Sequence, residues 1–123
     1  MKNILLGVSG SISAYKAADI TNQLTKLGYN LDVVMTKSST EFITPLTIQS
    51  LSHRLVHLDV MDEPDAALIN HIALAKAADL FLVAPASANI IGKLANGIAD
   101  DLLSTVALAL LPDTPKVIAP AMN

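Results

Sequence analysis

A short apolar run followed by polar residues constrains the fold of this chain more than any other feature. Residues 80–84 are all apolar, a pattern typical of a strand that is buried on both faces of a parallel sheet. Pro85 has no amide donor and is expected to end the strand, which leaves Ser87 and Asn89 just past its carboxyl end. On these residues alone, the simpler interpretation is that Ser87 caps a helix over 90–95.

Strands and helices alternate along the rest of the chain. Further strands are predicted at 3–8, 31–35 and 116–119, with a short edge strand at 55–60. Helices are predicted after the first strand up to Gly28, at 44–52 opened by Pro45, at 69–78 and at 101–111. This alternation predicts one α/β domain over 1–123, a three-layer Rossmann-like or flavodoxin-like open parallel sheet with helices on both faces.

Several local patterns give finer expectations. The first helix should bury a face made of Ala17, Ile20, Leu24 and Leu27. Residues 38–41 have the form of a capping box, and 61–68 are the most loop-like and mobile stretch. The helix at 101–111 is apolar nearly all round, so we expect the core or a neighbouring subunit to cover every side of it.

Composition excludes several classes of function. The net charge of -3 and the two tyrosines and two phenylalanines provide no basic, aromatic face for nucleic acid. The absence of cysteine excludes disulfides and thiolate metal sites, and the three histidines lack the spacing of a metal site. No apolar run approaches a membrane span and no secretory leader is recognisable, so a cytoplasmic location is expected by default.

Four predicted strands end in polar or turn-forming residues. These tips are 9–11, 36–38, 87–89 and Asn123, and in an open α/β sheet such tips line one crevice where the strand order reverses. Gly10 lets the backbone approach a ligand, and the helix that follows favours an anion such as phosphate. The dinucleotide pattern Gly-x-Gly-x-x-Gly is absent, so a mononucleotide fits better.

His71 is the candidate proton-transfer residue, because imidazole exchanges protons near neutral pH. It is expected at the start of a helix that could pack beside the crevice; a buried histidine bonded to a backbone carbonyl is the simpler alternative. His53 and His57 are assigned no chemistry. Lys93 and Asp101 could be a surface lysine and a helix N-cap, and the absence of Gly-x-Ser-x-Gly makes a serine hydrolase a poor fit.

Taken together, these residues resemble a known family, the homo-oligomeric flavin-containing cysteine decarboxylases. The resemblance rests on Pro85-Ala86-Ser87-Ala88-Asn89 with Lys93, Gly97, Asp101 and Leu102-Leu103, on Asn70-His71-Ile72, and on Pro120-Ala121-Met122-Asn123. It extends over the whole chain. Residues 7–16 and 42–46 are most similar to the bacterial members that act in coenzyme A biosynthesis.

The resemblance implies bound FMN and assigns a role to each motif. The residues implied to contact FMN are Gly10, Ser11, Ile12, Thr36, Lys37, Ser38, Phe42, Ser87, Ala88, Asn89 and Ile90. Phe42 would lie against the isoalloxazine, often across a subunit contact, His71 would be the catalytic base, and Asn123 would bind the substrate carboxylate. Homotrimers, or dodecamers built from trimers, are implied as well.

The implied reaction is FMN-dependent decarboxylation of 4'-phosphopantothenoylcysteine to 4'-phosphopantetheine. Oxidation of the thiol side to a thioaldehyde provides the electron sink that carbon dioxide loss requires, and the same flavin then reduces the product. The family's cysteine acid downstream of Pro-x-Met-Asn is missing, so the sequence is expected to be an amino-terminal portion that cannot complete the reduction. The alternatives are a decarboxylase of a peptide ending in cysteine, a flavin prenyltransferase, a regulatory subunit and a passive FMN carrier.

Overall fold

The computed structural model describes residues 2–58 and 64–122. The strands are β1 Asn3–Val8, β2 Asn30–Met35, β3 Leu80–Ala86 and β4 Lys116–Pro120. The helices are α1 Lys16–Lys26, α2 Pro45–Ser52, α3 Pro64–Ala77, α4 Ala88–Asn96 and α5 Leu102–Ala109, with short 3-10 helices at Ile12–Tyr15 and Ser38–Glu41. Strands and helices alternate as the sequence predicts.

The strands form one parallel sheet in the order β2-β1-β3-β4. Leu6 of β1 is paired with Val33 on one side and with Leu82 on the other. Strands β2 and β3 therefore lie on opposite sides of β1. The carboxyl ends of β1 and β3 are the point where the strand order reverses, and the predicted open α/β architecture is confirmed.

Each face of the sheet carries its own hydrophobic core, because alternate residues of a strand point to opposite faces. Leu5, Phe81 and Val83 pack with residues of α3 and α5 on one face. Leu6 and Val8 pack on the other face, which also holds Ala17 and Ile48 of the two helices α1 and α2. The sheet is thus the middle of three layers, and both faces of β1 are buried.

Three helix starts confirm sequence expectations. The Thr44 hydroxyl accepts the Thr47 amide at the start of α2, where Pro45 is the first residue. The Ser87 hydroxyl caps α4 by accepting the Ile90 amide at 3.2 Å. Asp101 caps α5 in a reciprocal capping box with Ser104. In each case a short polar side chain satisfies an amide that has no partner inside its helix.

The third strand continues further than predicted. The sequence suggested that Pro85 ends it, whereas β3 runs through Pro85 to Ala86. The register towards β4 shifts between Val83 and Ala86, and proline is tolerated at such an irregularity because the ladder hydrogen bond is already interrupted there. The polar tip of β3 therefore begins at Ser87.

Two predicted helix features differ in the structure. Helix α3 begins at Pro64 rather than at 69, so the part of the predicted loop at 64–68 is helical and His71 lies in the middle of the helix. Residues 38–41 form a 3-10 helix that begins after Lys37, so Ser38 is not a capping residue. The turn is instead held by Ser39, whose hydroxyl donates to the Thr36 carbonyl at 2.6 Å.

Other differences concern the exposure of two leucines and the predicted edge strand at 55–60. Leu27 is 73% exposed, because α1 ends at Lys26 and Leu27 is its C-cap, while Thr21 is buried on α1. Only His57 of the predicted edge strand at 55–60 pairs with β2, through a single bridge to Val34; 59 and 60 lie outside the described residues. On α5, Leu108 is 60% exposed, so cover by a neighbour remains a prediction.

Within the described residues, no helix combines the length and apolar character needed to cross a membrane.

Candidate functional site

A crevice of about 290 Å³ lies at the carboxyl edge of the sheet, where the strand order reverses. It is lined by Ser9, Gly10, Thr36, Lys37, Ser38, Ser87, Asn89, Ile90, Lys93 and Asp101. These residues come from the tips of β1, β2 and β3 and from the two helices α4 and α5. The structure therefore brings three of the four predicted strand tips together in one polar crevice.

Gly10 allows the first two tips to approach each other closely. A methyl group built on Gly10 would overlap the Cβ of Ser38. Any larger residue at this position would have to push the β2 tip away and reshape the crevice. The sequence predicted that a ligand approaches the backbone at Gly10, which remains a prediction; in the structure the close neighbour is the backbone and side chain of residue 38.

The tip of β2 is tied to β1 and folded over the crevice. The Thr36 amide donates to the Val8 carbonyl at 3.0 Å, and the Thr36 hydroxyl accepts the Ser39 amide at 3.2 Å. Lys37 and Ser38 follow directly and are exposed. The turn thus presents one ammonium and one hydroxyl group at the mouth of the crevice.

The first turn of α4 offers hydrogen-bond donors to the same space. The Ser87 hydroxyl accepts the Ile90 amide, and the Ser87 carbonyl accepts the Ile91 amide at 3.0 Å. The amides of Ala88 and Asn89 have no acceptor inside the helix, because the first amides of an α-helix precede the repeating bonds. Together with the helix dipole, these groups suit an anion.

An ion pair joins the two helices that close the crevice. The Lys93 ammonium lies 3.0 Å from Asp101 Oδ2 and 2.9 Å from Asp100 Oδ1. Hydrogen bonds to Asp100 and Asp101 raise the pKa of Lys93. Burial alone would raise the pKa of Asp101, but hydrogen bonds from Ser104 and Lys93 outweigh it, and the pKa is lowered. Both groups are therefore charged at neutral pH.

The remaining residues of the implied FMN set, Ser11, Ile12, Phe42 and Ala88, do not line the crevice. The Ser11 hydroxyl accepts the Ser13 amide and caps the 3-10 helix that follows β1. Ile12 and Phe42 are 74% and 51% exposed, and Ala88 is exposed at the start of α4. The two large apolar side chains are open to contact with a ligand or with another subunit.

His71, the candidate base, does not line this crevice. Helix α3 ends at Ala77, next to the amino edge of the sheet. With a rise of 1.5 Å per residue, His71 lies about 9 Å from that end, roughly halfway along the sheet. It is half-buried and, within the described residues, does not belong to the crevice lining. Asn123 lies outside the described residues.

Sequence reasoning placed Ser9 at the crevice as part of the tip at 9–11, and the structure confirms this. It gave Ser9 no separate role, and it did not assign Lys93 or Asp101 to the crevice. Asp101 is the helix N-cap that the sequence suggested, but it also lines the crevice. Lys93 differs from a surface lysine because its side chain is only 19% exposed and is paired.

A second cavity, of about 360 Å³, lies beside the ion pair. It is lined mainly by apolar side chains of α4 and α5 and of the two strands β3 and β4, among them Phe81, Leu94 and Ile118. Lys93 borders both cavities. The ion pair therefore separates the polar crevice from an apolar groove.

Comparison with known proteins identifies a matching family and similar relatives. The family described as Flavoprotein matches residues 1–123. A relative from Streptococcus mutans, named probable phosphopantothenoylcysteine decarboxylase, is 61% identical over 122 residues, covering 99% of this chain and 68% of the relative. The coenzyme A biosynthesis bifunctional protein CoaBC of Bacillus subtilis is 52% identical over 122 residues, covering 99% of this chain and 30% of that protein.

Solved structures of cysteine decarboxylases share the fold of this chain. The FMN-dependent cysteine decarboxylase SpaF superposes with a TM-score of 0.87 and 34% identity, covering all of this chain and 70% of SpaF. A PPC decarboxylase variant complexed with pantothenoylaminoethenethiol gives 0.81 and 32%, covering 99% of this chain and 68% of that one. The chain thus spans about two thirds of these structures and under a third of the bifunctional protein. With the family match extending from the first residue to the last, this chain belongs to the Flavoprotein family.

Proposed function

We propose that this chain binds FMN in the crevice and that the protein decarboxylates 4'-phosphopantothenoylcysteine to 4'-phosphopantetheine in coenzyme A biosynthesis. The observation that carries the proposal is the 61% identity to a relative named for this activity, which extends over nearly the whole chain. The protein is then a carboxy-lyase. This chain covers only part of each of these relatives, 68% of the first and 30% of the second. The activity is therefore proposed for the whole protein.

The chemistry of the crevice suits the phosphate of a mononucleotide. The Asn89 amide and the hydroxyl groups of Ser38 and Ser87 are donors at its wall, the Ala88 amide lies between Ser87 and Asn89 in the chain, and Lys37 adds a positive charge at the mouth of the crevice. Gly10 lines the crevice, and its lack of a side chain lets residue 38 lie close to the tip of β1. When bound, FMN would supply reversible two-electron oxidation, which converts the cysteine side chain into an electron sink before carbon dioxide is lost.

The chain's own residues would bind, orient and move protons. Asn123 is proposed to hold the substrate carboxylate, and His71 to accept a proton during the oxidative half-reaction. Because His71 does not line the crevice of its own chain, this role requires one of two arrangements. Either the substrate extends along α3, or a second copy of the chain brings its His71 to the crevice.

A trimer or a trimer-based dodecamer remains the prediction for the assembly. Its support is the set of large apolar side chains left exposed in the single chain, including Ile12, Phe42 and Leu108. Light scattering of the purified protein measures the assembly directly. The cytoplasmic location expected from the sequence also remains a prediction.

The test of function is carbon dioxide release. Wild-type protein and His71→Asn are purified, their flavin content is read from the absorption spectrum, and both are assayed with 4'-phosphopantothenoylcysteine. The proposal expects yellow protein in both cases and rapid carbon dioxide release from wild type only. A colourless wild-type protein, or flavin-loaded wild type that releases no carbon dioxide, would contradict it.

A second candidate substrate is a peptide that ends in cysteine. It is favoured by the resemblance to the peptidyl-cysteine decarboxylase EpiD, which superposes with a TM-score of 0.80 at 32% identity. The same assay with such a peptide distinguishes the two substrates. A flavin-loaded protein inactive on both would favour an FMN carrier or regulatory subunit instead.

A further inference from the structure

The hydroxyl of Ser9 connects two strand tips that are almost eighty residues apart in the chain. Ser9 follows β1 directly and is 1% exposed. Its Oγ donates to the Pro85 carbonyl at 2.6 Å and accepts the Ser87 amide at 2.8 Å, while the Ser9 amide also donates to the Pro85 carbonyl at 3.2 Å. These three bonds hold the tip of β3 against the tip of β1, where the strand order reverses.

The bonds of Ser9 decide which donors remain for a ligand. The Ser9 hydroxyl has a single hydrogen, and Pro85 already receives it. Ser9 therefore lines the crevice without a hydroxyl hydrogen to offer. The Ser87 amide is likewise occupied, by Ser9.

The donors left at the β3 tip all depend on where Ser87 is held. The Ile90 amide is occupied by the Ser87 cap, so the available groups are the amides of Ala88 and Asn89 and the hydroxyl hydrogen of Ser87. Each of them is attached to Ser87 or follows it within two residues. A shift of Ser87 would therefore move the donors that the first turn of α4 presents to the crevice.

We propose that Ser9 is a positioning residue for flavin phosphate: it fixes Ser87 and the first turn of α4 in the orientation that binds the phosphate. This inference rests on the proposed function, because it takes FMN as the ligand. It differs from a purely structural role in one measurable respect. A misplaced donor set weakens FMN binding, but it leaves binding of riboflavin, which has no phosphate, much less affected.

The experiment compares FMN with riboflavin. Protein is purified with its flavin, the flavin is removed, and the apoprotein is titrated with each compound by flavin fluorescence. The variants are Ser9→Ala, which removes the hydroxyl, and Ser9→Thr, which keeps it. Val106→Ala is the matched control, since Val106 is fully buried in the core on α5 and lines neither cavity. Melting temperatures are measured in parallel.

The readout is the preference for FMN over riboflavin, the ratio of the two dissociation constants. In Ser9→Ala the preference should fall by about tenfold or more, the size expected when a charged group loses well-placed donors. It should stay within about threefold of wild type in Ser9→Thr and in Val106→Ala, even if the control melts at a lower temperature. Should Ser9→Ala fail to fold, Ser9→Cys replaces it, because a thiol is a weaker and longer donor.

Two results would show whether the role of Ser9 or the proposed function itself is wrong. If wild type prefers FMN and the preference is unchanged in Ser9→Ala or Ser9→Cys, the positioning role is wrong while the proposed function stands. If wild type binds neither flavin, or binds both equally, the proposed FMN site itself is wrong, and the role of Ser9 falls with it.

Discussion

The ammonium of Lys93 lies 3.0 Å from a carboxylate oxygen of Asp101, and this pair joins the last turns of α4 to the first turn of α5. Asp101 also accepts the Ser104 amide at 2.7 Å as the cap of α5. The side chains of Lys93 and Asp101 are 19% and 13% exposed, so the pair is largely shielded from water. One carboxylate thus both starts a helix and closes one end of the crevice.

Removal of this carboxylate should destabilise the protein. We expect Asp101→Ala to lower the free energy of unfolding by about 1–3 kcal/mol, because it removes a helix cap and leaves Lys93 with only Asp100. Urea denaturation at neutral pH measures the change. Asp100→Ala is the matched control: Asp100 is 60% exposed, and the cost should be under about 1 kcal/mol. Equal costs for the two variants would show that the Asp101 cap adds nothing.

Gly10 should be required for flavin binding and not for folding. In Gly10→Ala the added methyl overlaps Ser38, so the β2 tip must shift and the dissociation constant of FMN should rise by about tenfold or more. Fluorescence titration of the apoprotein measures it. Gly92→Ala is the control, since a methyl there meets open space within α4; it should leave FMN binding unchanged and stabilise the protein by about 0.5–1 kcal/mol. Unchanged FMN affinity in Gly10→Ala would contradict the assignment of the crevice.

His57 should make the protein less stable in mild acid. Burial lowers the pKa of His57, the charge of Arg54 adds to this, and the carboxylate of Asp32 opposes it. A histidine whose pKa is lowered by folding contributes stability above its unfolded pKa of about 6.5 and loses it as pH falls. The melting temperature should therefore fall from pH 7 to pH 5, and His57→Gln should reduce that fall. An equal fall in both proteins would show that His57 does not contribute.

His71→Asn should separate catalysis from cofactor binding. If His71 is the base, carbon dioxide release should fall by about a hundredfold or more, the range that general base catalysis contributes. The flavin spectrum and the FMN dissociation constant should not change, because His71 does not line the crevice. Turnover is measured with saturating 4'-phosphopantothenoylcysteine. A rate within about threefold of wild type would remove His71 from the mechanism.

The sequence predicted the features that depend on local patterns. Apolar runs marked the four strands, Pro45 marked the start of α2, and short polar residues before helical runs marked the caps Ser87 and Asp101. Alternation of strands and helices then predicted a parallel sheet with its site at the carboxyl edge. Gly10 and Ser38 could be assigned to one crevice because strand tips of a parallel sheet converge.

Features that depend on distant parts of the chain could not be predicted. Ser9 bonds to Pro85 and Ser87 through tertiary contact alone, and no local pattern reports it. The continuation of β3 through Pro85 requires a partner strand with an irregular register. Leu27 has the helical spacing of a buried residue, but α1 ends at Lys26 and Leu27 is exposed as its C-cap.

A crystal structure of the protein with FMN bound tests the central claim most directly. The account predicts that the phosphate lies in the crevice between the tips of β1 and β3, within 3.2 Å or so of the amides of Ala88 and Asn89, and that Ser9 still bonds to Ser87. A flavin bound in the apolar groove lined by Phe81, or anywhere else than at the strand tips, would contradict it.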